Sequence, residues 1–125
     1  PTPSTLSFLS NSTDFGDLTV ARKGGSSTGD GTKGIWMGGE ESGTQGVTID
    51  YVTIASTGNA TDFGDASVAR SGCGACSDYT YAVISGGGAN NTLDRVTIQT
   101  TGNATDFGDL TANSDTGCST SGAAA

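Results

Sequence analysis

The 125-residue chain contains no histidine, only five lysines and arginines, two prolines, three cysteines and 6% aromatic residues. Each shortage closes off a class of function. Without histidine, an ordinary zinc site cannot be completed around Cys73-Gly74-Ala75-Cys76. The side chain that most often acts as a general base near neutral pH is also missing. Five cations against 13 acids leave a formal charge of −8. The clustered Lys and Arg that bind a phosphate backbone or an anionic membrane are therefore absent, and no nucleic-acid partner is expected. No apolar run approaches the ~20 residues of a membrane helix, so membrane insertion is not expected either. No useful stretch carries the 3.6-residue period of an amphipathic helix. Three cysteines cannot all pair with one another, and the CxxC lacks the βαβ surroundings of a redox site. Cys73, Cys76 and Cys118 read as small, partly buried residues.

Glycine is plentiful, with 21 copies, and the hydrophobic fraction is 33%. Such a composition suits disorder unless the apolar residues are organised, and here they recur in register. NSTDFGDLTVAR from Asn11, NATDFGDASVAR from Asn59 and NATDFGDLTANS from Asn103 are three versions of one motif. Phe15, Phe63 and Phe107 follow one another at 48 and 44 residues. Periods of this length mark stacked or radial repeats. GIWMGG and AVISGGG share the period, as do IDYVTIASTGN and LDRVTIQTTGN. The difference in period lies in the loop after the glycines, Glu40 to Thr48 in one unit and a shorter GANNT in the next.

The segments read as short antiparallel strands. VTIAST and VTIQTT alternate with period two and are rich in β-branched residues. Gly58-Asn59 and Gly102-Asn103 suit two-residue hairpin turns. The expected organisation is a half unit over 1–22, full units over 23–70 and 71–114, and the start of another over 115–125. The fold class is all-β, built of tandem short-strand repeats, with a β-solenoid or a sandwich as the alternative arrangement.

Several groups invite chemical readings. Asn59, Asp62 and Asp65, repeated as Asn103, Asp106 and Asp109, offer oxygen ligands to a hard cation such as Ca²⁺. The competing reading is that these side chains bond local backbone N–H groups and shape a turn. The turn reading is preferred, so no metal and no other cofactor is expected. Asp-Phe-Gly occurs in kinases, but here it lacks the catalytic-loop Asp and strand Lys that would go with it. GDGTKG, from Gly29, is an incomplete phosphate loop and reads as a connector between units. Asp50 and Asp94 share a repeat position, as do Arg22 and Arg70, so charge-assisted bonds between neighbouring units are expected. Asn11, Asn59, Asn90 and Asn103 head formal glycosylation sequons and are read as turn residues. Phe15, Phe63, Phe107 and Trp36 are expected in the core, with Tyr79 and Tyr81 as surface candidates for a glycan. No residue is assigned a catalytic role.

An apolar strand closing on diglycine, a variable loop, a paired strand, then an aromatic and an arginine resembles the kelch repeat of β-propeller blades. Gly38-Gly39 and Gly86-Gly87 stand for the diglycine, Phe63 and Phe107 for the aromatic, and Arg22 and Arg70 for the closing arginine, which Asn113 replaces in the last unit. The wording V-T-I-x-[ST]-T-G-N-A-T-D-F-G-D is similar to kelch-like repeats in tail-fibre and other structural proteins of tailed phages. The resemblance implies blades completed by sister subunits or by further units, since propellers close with roughly four to eight. It further implies a non-enzymatic virion component that contacts sister subunits, other virion proteins and a host-surface glycan. A secreted microbial adhesin or filament subunit at the cell surface, and a fragment of a carbohydrate-active propeller, are the alternatives. The copper chemistry of galactose-oxidase relatives needs histidine and is not available to this chain.

Overall fold

A computed structural model describes residues 10–115. Among them there are nine strands and no helix: β1 (Ser26–Gly29), β2 (Lys33–Met37), β3 (Glu40–Glu41), β4 (Thr44–Thr53), β5 (Thr61–Arg70), β6 (Gly74–Ser77), β7 (Tyr81–Ser85), β8 (Asn90–Thr97) and β9 (Thr105–Ser114). Every pairing is antiparallel. One sheet joins β1, β2, β4 and β5 in sequence, with β3 on the start of β4; the other joins β6, β7, β8 and β9. The two sheets are the same meander built twice. The all-β class holds, and the two sheets close neither a barrel nor a propeller.

The turns depart from expectation in three places. Gly58-Asn59 is not a two-residue hairpin, because β4 and β5 are separated by residues 54–60; Gly58 N–H and Asn59 Oδ1 bond instead to the backbone of Phe15 and Asp17. The Asp30–Thr32 turn joins β1 to β2 inside one sheet and does not connect units. The segment Glu40 to Thr48 is not an irregular loop. Glu40 and Glu41 pair with Gln45 and Thr44 across Ser42 (φ 52°) and Gly43 (φ 86°), the positive-φ pair that matches the twist of a tight hairpin. Gly46 faces Arg70 and Asn90 faces Ser114, so Ser114, not Asn113, stands at the arginine position of the last repeat.

The core is one cluster shared by both sheets. Ile35, Met37 and Ile49 from the first sheet meet Ala82, Ile84, Val96 and Ile98 from the second, with Phe63 and Cys73 among them. Equivalent strands bury opposite faces. In β2, Ile35 and Met37 are buried and Trp36 is half-buried; in β7, Ala82 and Ile84, the equivalents of Gly34 and Trp36, are buried. Stacking explains this, since the first sheet presents one face and the second its other face. Within the first sheet, Tyr51 of β4 meets Phe63 of the neighbouring β5 edge-on, ring centroids 5.8 Å apart, a favourable aromatic geometry. The small residues of β1 and β6 let those two strands lie close. Thr28 Oγ1 donates to Ser77 Oγ at 2.7 Å, and Ser77 Oγ donates to the Gly29 carbonyl at 2.7 Å.

Candidate functional site: the joint between repeats

The joint starts from a local device. Asp14, Asp62 and Asp106 each accept, through Oδ1, the N–H of the residue two further on: Gly16 at 3.1 Å, Gly64 at 3.1 Å and Gly108 at 3.0 Å. This is the ordinary Asx turn. In β5 it sits at a bulge. Ile49 pairs with Gly64 and Asp50 with Asp62, leaving Phe63 as the extra residue; Phe107 is the extra residue of β9. A bulge takes its residue out of the ladder, and the carbonyl of Phe63 turns to the next repeat instead. It accepts the N–H of Gly102 at 2.8 Å. The Asp65 carbonyl accepts the N–H of Ala104 at 2.8 Å, and the Asp65 N–H donates to Asn103 Oδ1 at 3.0 Å.

The same three bonds recur one repeat earlier. Gly58 N–H donates to the Phe15 carbonyl at 2.9 Å, Ala60 N–H to the Asp17 carbonyl at 2.8 Å, and Asp17 N–H to Asn59 Oδ1 at 3.0 Å. The backbones approach so closely that a side chain is excluded. A Cβ at Gly64 would lie 2.2 Å from the Gly102 carbonyl oxygen, and one at Gly16 would lie 2.2 Å from that of Gly58.

A buried ion pair backs each joint. Arg70 Nη2 lies 3.1 Å from Asp94 Oδ2, with both side chains fully buried. Its Nη1 donates to the carbonyls of Gly86 (3.1 Å) and Thr92 (2.9 Å). Asp94 also accepts the N–H of Ser67 at 2.8 Å and the Ser67 hydroxyl. Arg22 repeats the pattern: Nη2 to Asp50 Oδ2 at 2.8 Å, and Nη1 to the carbonyls of Gly38 (3.0 Å) and Thr48 (2.8 Å). Asp50 accepts the Thr19 N–H at 3.0 Å and hydroxyl at 2.6 Å. The Nε atoms of Arg22 and Arg70 have no hydrogen-bond partner. The diglycines complete the setting. A Cβ at Gly87 would lie 2.6 Å from the Ser71 carbonyl oxygen, and one at Gly39 would lie 3.0 Å from that of Lys23.

Of the oxygens considered for a cation, Asn59, Asn103, Asp62 and Asp106 are spent on backbone N–H groups. Asp65 and Asp109 stand in the chain beside them, but among the described residues no three acidic or thiol side chains gather into a metal-sized cluster. Asn90 likewise serves its own turn, accepting from Thr92 N–H at 3.0 Å and donating to Gly87 at 2.6 Å. Cys73 is buried at the seam, 3.4 Å from Ser26 Oγ, and Cys76 is half-buried; both are free thiols. Cys118 lies outside the described residues. Asp30 and Asp78 cap the first hairpin of each sheet. Burial pushes the Asp30 carboxyl upward, but the N–H groups of Lys33 and Thr32 and the Gln99 amide outweigh it, and the net shift is below the ordinary range. Asp78 is held down by the N–H groups of Tyr81 and Thr80.

The aromatic residues fare differently from one another. Phe63 is buried. Phe15 borders an apolar groove of about 380 Å³ with Trp36, Val52 and Ile54. Phe107 is not in the core but 55% exposed, because no described repeat follows it. Arg95 stacks over its ring at 5.2 Å and over Tyr81 at 4.4 Å. Tyr79 is the more open of the two surface tyrosines. Sequence reasoning overlooked Thr19 and Ser67. The signal was a hydroxyl residue four places after each motif phenylalanine, with Thr111 as the third case. No protein-family model matches the chain, and no curated protein matches it.

Proposed function

We propose that the chain is a non-enzymatic structural protein of a virion, a tail-fibre, tail or surface-decoration component in which kelch-like repeats form a scaffold. One observation carries this reading: the same joint, three backbone-directed bonds backed by a buried Arg–Asp pair, is built twice at equivalent positions. A protein whose chain is spent on copying one joint is suited to extension rather than to chemistry, since each repeat gains stability by packing on its neighbour. The wording of the repeat, which resembles structural proteins of tailed phages, supports a virion over other settings. Contacts with other virion proteins or a host-surface glycan fall to exposed features such as the Ser42-Gly43 hairpin tip and Tyr79. The test is peptide mass spectrometry of density-purified tailed particles from the source of this sequence. Peptides of the chain at a fixed ratio to the capsid protein are expected. Their absence from particles, with presence in the host cell surface fraction, would overturn the virion assignment in favour of a microbial surface filament.

A further inference from the structure

The two sheets are copies, and they differ at the hairpin that joins their first two strands. In the first sheet its tip is Asp30-Gly31-Thr32, with Gly31 at φ 89°; in the second it is Asp78-Tyr79-Thr80, and Tyr79 adopts φ 78°. Positive φ suits glycine and is an outlier for a bulky side chain. Glycine serves the same turn in the first copy, so the fold does not require the ring. Yet the backbone that carries it is held firmly. Asp78 Oδ1 accepts the N–H groups of Thr80 at 3.0 Å and Tyr81 at 2.8 Å. Gln99 Nε2 donates to the Tyr79 carbonyl at 3.1 Å and to Asp30 Oδ2 at 3.1 Å. The Gln99 carbonyl in turn accepts Lys33 Nζ at 3.3 Å. Gln99 is itself a departure from the repeat, since its counterpart is Ala55. The two departures touch each other.

Tyr79 is 54% exposed. That openness belongs to the fold. Gly31 and Ala55, the counterparts of Tyr79 and Gln99, are exposed although a described sheet follows them, and no described residue comes within 4 Å of a Cβ at Gly31. Strain kept at an open position, with no packing in return, points to recognition. We infer that Tyr79, braced by Gln99, is a stacking platform for a neutral hexopyranose of a glycan. The face of a tyrosine ring stacks on the C–H face of a pyranose. The side-chain carbonyl of Gln99 accepts no hydrogen bond from a described residue and stands at the same turn to take a sugar hydroxyl. Because the turn is already fixed, little conformational freedom is lost on binding. The carboxylates of Asp30 and Asp78 lie at the site and the chain carries a charge of −8, which repels an anionic sugar. A protein partner would need about 800 Å² on each side with an apolar centre, whereas the tip sets its one ring among Asp78, Thr80 and Gln99. This deepens the glycan contact proposed above and rests on it, and the two readings fail separately: absence from particles would end the virion assignment and leave sugar binding untouched.

Saturation-transfer-difference NMR on the full chain is the test. The probes are the methyl glycosides of galactose, glucose and N-acetylglucosamine, with N-acetylneuraminic acid as the anionic control. The expected result is transfer to at least one neutral glycoside, strongest on the C–H protons of one ring face, and none to the acid. Tyr79→Phe keeps the ring face and retains the transfer. Tyr79→Gly restores the residue of the first copy. It is expected to lose the transfer while its melting temperature is not lowered, because glycine takes this φ without strain; a ring with a merely structural role would not separate the two readouts. Gln99→Ala weakens binding roughly fivefold or more, the worth of one hydrogen bond. No transfer to any of the three glycosides would overturn the inference and leave the tip to a protein partner. Undiminished transfer to Tyr79→Gly, a Tyr79→Gly chain that melts below the parent, or equal transfer to the acid would overturn it as well.

Discussion

A guanidinium taken wholly out of water is costly unless the acceptors around it are in place. Arg70 has three: the Asp94 carboxylate and the carbonyls of Gly86 and Thr92. Asp94→Ala would strand that charge and also leave the Ser67 N–H and hydroxyl unmet. The expected loss is about 3–5 kcal/mol, read from the shift in denaturant midpoint. A change within the roughly 0.5 kcal/mol of an ordinary surface substitution would refute the role given to the pair. The capping aspartates predict the acid behaviour. Asp30 and Asp78 have depressed values in the folded chain. A depressed carboxyl contributes stability that is present above its unfolded value, about 3.9, and lost as pH falls through the folded one. Stability should therefore decline below about pH 4. Asp30→Asn should flatten that decline, as measured by thermal melts between neutral and acid pH.

At the level of the strand, the bulge converts a phenylalanine carbonyl into an anchor for the next repeat. Gly64 and Gly108 allow a clean comparison, since their φ values are 151° and 148°. Gly64→Ala puts a Cβ against the Gly102 carbonyl, whereas Gly108→Ala meets no described residue. The backbone term cancels between the two. The remaining difference is the joint, in which several hydrogen bonds of about 1 kcal/mol each are disturbed. Gly64→Ala is expected to be the more destabilising by about 2–3 kcal/mol, and equal effects in chemical denaturation would contradict the assignment. The Asp-Phe-Gly-Asp spacing was legible in the sequence as a turn signal. Its direction was not. An Asx motif states that the backbone bends, but which neighbour receives the freed carbonyl depends on the sheet stacked beside it.

Across the whole molecule, one apolar cluster ties the two sheets together. Ile84, 1% exposed, lies in β7 but packs in the shared layer. Ile84→Ala should cost about 2–5 kcal/mol and lower amide protection in β2 and β7 together. Protection lost from β7 alone, with β2 unchanged, would mean that the sheets are independent. Trp36 is at the equivalent position in β2 yet is half-buried beside an apolar groove, because no described sheet covers that face of the first one. Repeat position therefore does not decide burial; the place of the repeat in the stack does.

The sequence alone determined the β class, the repeat and its spacing. Alternation, β-branched runs and glycine placement are local properties, and three near-copies of one motif make them readable without a fold. The shared repeat positions of Arg22 and Arg70, and of Asp50 and Asp94, were visible in the same way. Only the tertiary structure decided that Asn59 and Asn103 reach backward into the preceding repeat, that Thr19 and Ser67 bind the buried aspartates, and that Phe63 is enclosed while Phe107 is open. Those outcomes depend on which surfaces face each other across sequence separations of tens of residues. Identical heptapeptides, Thr13–Thr19 and Thr105–Thr111, end in different surroundings because their neighbours differ and their own chemistry does not.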